Sequence, residues 1–216
     1  MLPLDHPFWK DFEERCRERH LENYRKLQGD INRLDPEQIG TFEMVHCSGV
    51  LYHMPDPVSA ILRLRSVTER YLILSSAVVP SRIVTSQGAE LNLPPGCALF
   101  VPAIDGAVAK ALRQYWSACG VELPEVGQGT AGPWMRYGKD AKKSRMGSID
   151  YSSWWWFFTE RALEGMLQTA GFKIVDKHAG WGSRAMSYLC ERDTPPLPVV
   201  EVGLARYERR GAEREA

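Results

Sequence analysis

The sequence predicts an α/β fold built on a mostly parallel sheet with one antiparallel strand near its end. Three observations carry that prediction. Residues Phe42 to Ser75, FEMVHCSGVLYHMPDPVSAILRLRSVTERYLILS, read as strand, Gly-containing turn, helix and strand. A helix between two short apolar runs is the βαβ unit of a parallel sheet. Further on, Thr159 is a good N-cap for a helix from Glu160 to Ala170, which Gly171 stops before a strand at Phe172 to Val175. Finally, the run Arg184 to Cys190 follows that strand after a short loop around Trp181. Strands joined so closely must be antiparallel.

The elements follow in order. Met1 to Leu4 is apolar and ends at Asp5, the stub of a strand. From Phe8 to Leu27 the chain is rich in Glu and Arg, with Phe8, Phe12, Cys16, His20 and Tyr24 near every fourth position. That spacing predicts one helical face. Gly29-Asp30 interrupts it, and Pro36 and Gly40 mark a loop. Phe42 to Cys47 is expected to be a buried strand. Pro57 to Thr68 is expected to be a helix entered through Pro55-Asp56-Pro57, with Val58, Ile61, Leu62 and Leu64 on one face. Tyr71 to Leu74 is the next buried strand. Residues 80–150 carry Pro80, Pro94, Pro95, Pro102 and Pro133 and many glycines, with one plausible helix from Ala107 to Cys119. They read as an insertion over the sheet's ligand edge. One domain is expected over 1–194, followed by a charged tail over 195–216.

Composition narrows the function classes. The 216 residues suffice for one sizeable core. Lys plus Arg (27) balance Asp plus Glu (27), so no global field draws the chain to nucleic acid or anionic membrane. Five cysteines at irregular spacing, without a CxxC pair, argue against a disulfide framework or a zinc site and fit a reducing cytoplasm. The start, MLPLDHPFWKDF, lacks the pattern of a signal peptide, and no apolar run approaches the roughly 20 residues that span a bilayer. A cytoplasmic location is expected.

Ligands of open α/β sheets bind at the carboxyl ends of parallel strands, so chemistry is expected where His46, Cys47, Tyr52 and His53 cluster. His53 is a candidate general base, since an unperturbed imidazole titrates near 6.5. No further ligands stand at workable spacing from His46-Cys47, so no metal is expected. Trp154-Trp155-Trp156-Phe157-Phe158, if extended, alternates between two faces. Trp154 and Trp156 then either line an acceptor pocket, where aromatic faces suit a flat substrate or a sulfonium cation, or pack in a core. Arg136, Lys139, Lys142, Lys143 and Arg145, interleaved with Trp134 and Tyr137, are either an RNA contact or a solvated loop.

FEMVHCSGVLYHMPDP, with the helix and the strand YLILSS after it, resembles the middle of class I S-adenosylmethionine-dependent methyltransferases. GVLYH, Gly49 to His53, looks most like the branch containing the tRNA uridine-5-oxyacetic acid carboxymethyltransferase. FFTERALEGMLQTAGFKIVD is similar to that group's last helix and strand, and SRAMSYLCER to its terminal antiparallel strand. The resemblance implies S-adenosylmethionine as cofactor and a small molecule or RNA base as methyl acceptor. It places Asp5 on the ribose hydroxyls and Asp30-Ile31 at the adenine. Ser48 and Tyr52 fall on the methionyl side, and Arg184 matches an arginine that helps hold a carboxylated form of the cofactor.

These enzymes open with a strand and a Gly-rich turn, whereas Gly29 is the first glycine here. The expectation is therefore an incomplete Rossmann-like sheet lacking its first strand, with an exposed edge open to self-association. A non-catalytic or truncated relative that has lost cofactor binding is the alternative reading.

Overall fold

The computed structural model of the chain describes residues 7–86, 88, 90–118 and 154–193. The expected stub at Met1 to Leu4, Asp5, the basic loop and the charged tail lie outside them. The fold is α/β with a mixed sheet. Its four strands stand in the order β1 (Phe42–Ser48), β2 (Thr68–Ala77), β8 (Ala185–Arg192), β7 (Phe172–Gly180). β1 and β2 are parallel, and β8 is antiparallel to both β2 and β7. Three strands thus run one way and β8 runs against them.

The crossover from β1 to β2 is helix α3 (Pro57–Val67). Asp56 caps it, its carboxylate accepting the Ser59 amide at 2.9 Å, and Pro57 supplies a pre-set first helical residue that needs no donor. Helix α5 (Glu160–Thr169) packs beside it. Between these helices and one sheet face lies the first core: Ala60, Ile61 and Leu64 of α3, Leu163 and Leu167 of α5, and Cys47, Leu72, Leu74, Tyr188 and Cys190 of the strands. Lys177 of β7 fastens α5 from outside through Glu160 at 2.6 Å and Glu164 at 2.8 Å. Thr159 departs from expectation. It stands at the N-cap, but its hydroxyl accepts the Cys97 amide at 3.0 Å and donates to the Pro95 carbonyl instead of capping the helix. The threonine pins a loop onto the helix start.

The segment after β2 builds a second core at the carboxyl edge of the sheet. β3 (Arg82–Val84) and β4 (Glu90–Asn92) form one hairpin, while β5 (Ala98–Phe100) pairs with β6 (Trp156–Phe158). Helix α4 (Gly106–Ser117) lies within a residue or two of its predicted place. Ala77, Val79, Ile83, Val101, Leu112, Trp116, Trp154 and Phe157 pack together here.

Two further expectations are corrected. Helix α1 spans Pro7–Glu18 and stops well short of Leu27. His20 takes φ 54°, the His20 amide bonds the Arg17 carbonyl, and the Leu21 amide reaches back to the Cys16 carbonyl at 2.8 Å. That reverse turn closes the helix's last carbonyls, so apolar spacing beyond it no longer describes a helical face. β1 is also less buried than its composition implies. Cys47 is buried, but Met44 is 54 % exposed, because β1 is an edge strand among the described residues and only one of its faces meets a helix.

Truncating the covered face should therefore cost far more than truncating the bare one. Leu74→Ala is expected to lose about 2–5 kcal/mol and Met44→Ala no more than about 0.5 kcal/mol, read from urea unfolding midpoints. Equal losses at the two positions would contradict this assignment of faces.

Candidate functional site

The carboxyl ends of β1 and β2 lie side by side, with Ser48 paired to Ser75 in register. Ser75 in turn shares a 2.7 Å hydrogen bond with Ser187 of β8, so hydroxyls cross three strands at this edge. The chain leaves β1 through Gly49, whose amide donates to the Ser75 carbonyl at 3.0 Å. Gly49 has φ 71°, a left-handed conformation that a side chain would strain, and a Cβ built there would stand 3.6 Å from the Tyr52 hydroxyl oxygen. Leu51–His53 then form a single 3₁₀ turn, anchored by fully buried Leu51. Tyr52 and His53 are thereby presented at the sheet edge, each half-buried.

The aromatic run after the insertion closes on this turn. Trp154 lies with its ring 4.2 Å from Tyr52 and 5.7 Å from His53, and the Tyr52 and His53 rings are 4.2 Å apart. The Trp155 amide donates to the Tyr52 carbonyl at 2.9 Å, and the Trp156 indole donates to the Pro55 carbonyl at 3.2 Å. Trp154 is 1 % exposed and takes the core alternative, with Tyr52, Trp116 and Phe157 around it. Trp156 is half-buried over Phe100 and Phe158. The structure thus brings Ser48, Tyr52, His53, Trp154 and Trp156 to one edge.

Asp30 and Ile31 sit on a separate 3₁₀ turn, Ile31–Arg33, that packs against α3. Asp30 caps it, accepting the Asn32 amide at 3.0 Å, while Ile31 leans on the first core. One cap bond leaves a carboxylate with further lone pairs to offer. Asp5 lies outside the described residues.

Arg184 occupies the turn between β7 and β8. Its guanidinium lies 4.7 Å over the Tyr115 ring and donates to the Tyr115 carbonyl at 3.3 Å. Sequence reasoning missed this turn's importance. Trp181, Gly182 and Ser183 take φ of 51°, 60° and 65° in succession. For the two residues with side chains, that conformation costs on the order of 1 kcal/mol each. Only the WGS tripeptide hinted at it, and nothing in the spacing distinguishes such a turn from an ordinary loop.

Two thiols bear on the electrostatics. Burial pushes the Cys47 thiol up to about 11 and the Cys190 thiol up to about 12. Neither is a nucleophile near neutral pH. Among the described residues, no three His, Cys, Asp or Glu side chains gather where they would hold a metal ion, and no helix is long and apolar enough to cross a membrane.

No family model and no curated protein matches the chain. Solved structures similar to it in outline include the N-terminal domain of EvdMO1 in the presence of SAH and D-fucose, at 13 % identity and TM-score 0.42 over 86 % of this chain. Another is magnesium protoporphyrin IX methyltransferase from Synechocystis PCC 6803 with bound SAH, at 16 %, 0.40 and 84 %. A third is 1,6-didemethyltoxoflavin-N1-methyltransferase from Burkholderia thailandensis, bound to 1,6-didemethyltoxoflavin and S-adenosylhomocysteine, at 15 %, 0.44 and 88 %. The chain spans about three-fifths of the length of each, 61 %, 59 % and 59 % respectively. Likeness this distant carries no function across.

The Cys47 and Cys190 thiols set a pH dependence. Each is held protonated in the fold above its ordinary value of 9.0, whereas the unfolded chain releases the proton near that value. Their contribution is intact below about pH 9 and is lost as pH rises toward 11 and 12, because the unfolded state then binds fewer protons. Thermal midpoints should fall between pH 9 and 11, and Cys47→Ala should flatten that decline relative to its own value at pH 8. An identical slope in the variant would contradict the burial argument.

Proposed function

We propose that the Ser48–His53 edge is one wall of a cleft for S-adenosylmethionine, and that the chain transfers the cofactor's methyl group to a small molecule or an RNA base. One observation carries the reading. The block that resembles class I methyltransferases, HCSGVLYH, sits at the carboxyl end of a parallel β1–α3–β2 crossover, where open α/β sheets bind ligands. The antiparallel placing of β8 between β2 and β7 supports it, as that family's terminal strand is antiparallel. On this reading the sheet is the rear of a Rossmann-like methyltransferase domain.

The residues present suit such a ligand in chemistry. Gly49 lets backbone approach closely, and the exposed Ser48 and half-buried Tyr52 offer hydroxyls to the polar methionyl end. Ile31 supplies an apolar surface and Asp30 an acceptor for the adenine amine. Bound cofactor supplies an already activated methyl group. The chain's own task is to hold an acceptor in line with it and exclude water. On this reading His53 takes a proton from the acceptor, while Arg184, whose guanidinium lies over Tyr115, supports the edge without touching the ligand.

Calorimetric titration with S-adenosylmethionine and S-adenosylhomocysteine tests this. Stoichiometric binding is expected, with Ser48→Ala and Asp30→Ala each weakening it about tenfold, the worth of one lost hydrogen bond. No heat at millimolar cofactor would overturn the proposal and leave the non-catalytic reading standing.

A further inference from the structure

We propose that the β7–β8 turn is a latch, and that Trp181 and Arg184 are positioning residues for the wall carrying Tyr52 and His53. The proposal rests on the reading of that wall as a ligand site, but its structural half is tested apart from any ligand. Three successive left-handed residues, two of them with side chains, do not persist unless surrounding contacts hold them. The Arg184 carbonyl accepts the Val78 amide at 2.8 Å, and the side chains of the turn reach the last turn of α4. The Trp181 ring packs 5.5 Å from Trp116, and Arg184 covers the Tyr115 ring at 4.7 Å while donating to its carbonyl. Gly182 makes the fold-back possible: a Cβ there would stand 3.3 Å from Arg184 Nη1.

From α4 the contact continues inward. Trp116 meets Trp154 at 5.0 Å, and Trp154 meets Tyr52 at 4.2 Å. The neighbouring Trp155 amide closes the path on the Tyr52 carbonyl. Four aromatic rings therefore join a solvent-facing hairpin tip, where Trp181 is 43 % exposed, to the turn that presents His53. The β1–β2–β8 ladder stands outside this path, held by its own backbone bonds and by the first core. A turn that served only general stability would affect ladder and wall alike. A latch affects the wall first.

Amide hydrogen exchange on the whole chain separates these. In Trp181→Ala, the Trp155 amide and the Ala118 amide, which donates to Gln114 in the last turn of α4, should exchange about tenfold faster, roughly the worth of one aromatic contact. The Leu72 and Leu74 amides should be unchanged, and Trp181→Phe should restore protection. Arg184→Met, which keeps the aliphatic stem and removes the Tyr115 bond, should act in the same direction and serves if Trp181→Ala does not fold. S-adenosylhomocysteine affinity should fall in Trp181→Ala and recover in Trp181→Phe. Unchanged Trp155 exchange, or an equal rise at Leu72 and Leu74, would overturn the latch. If exchange changes as stated while no variant and no parent binds S-adenosylhomocysteine, the latch stands and the cofactor reading falls.

Discussion

Strand β2 is shared by the four-stranded sheet, the α3–α5 layer and the second core. Along its first part, Leu72 and Leu74 are fully buried beneath α3 and α5, while its backbone bonds β1 on one side and β8 on the other. At and just past its carboxyl end the same chain enters the second core through Ala77 and Val79, and the Val79 amide bonds the Phe158 carbonyl at 2.8 Å. One continuous segment thus fixes the sheet, the helix layer and the aromatic layer over the sheet edge. Because buried backbone groups must be paired, β2 cannot shift without breaking two ladders at once.

That constraint explains why the Gly49 turn can be a site at all. Its position follows from β1's register against β2, set by Ser48 opposite Ser75, and from the Gly49 amide bonding the Ser75 carbonyl. Tyr52 and His53 are then held from the other side by Trp154 and by the Trp155 amide. A short polar turn between two rigid supports keeps its side chains pre-positioned, which is the general requirement for binding without a large ordering cost.

Local signals made the rear of the fold legible. Asp56-Pro57 marked the start of α3, Gly171 the end of α5, and the closeness of the last two apolar runs forced them antiparallel. What escaped sequence reasoning depends on tertiary context. Apolar spacing through Tyr24 continued past the point where His20 turns left-handed, and no residue type announced that turn. Phe42 and Met44 looked like core because their composition suits a covered strand, yet coverage depends on neighbours that local pattern does not specify. The Trp154–Phe158 run left lid and core open, and the packing of Trp116 decided for core at Trp154. Thr159 was found as a cap position, but not its use as an anchor for residues 95–97.

The proposed site requires a nucleoside-sulfonium ligand lying against the end of the His46-bearing strand. Backbone amide NMR during titration with S-adenosylhomocysteine addresses this at residue level. Saturable shifts centred on Ser48, Gly49 and Tyr52, reaching Asp30 and Ile31, are the predicted result. Shifts confined to the β3–β4 hairpin or α1, or none at all, would contradict it.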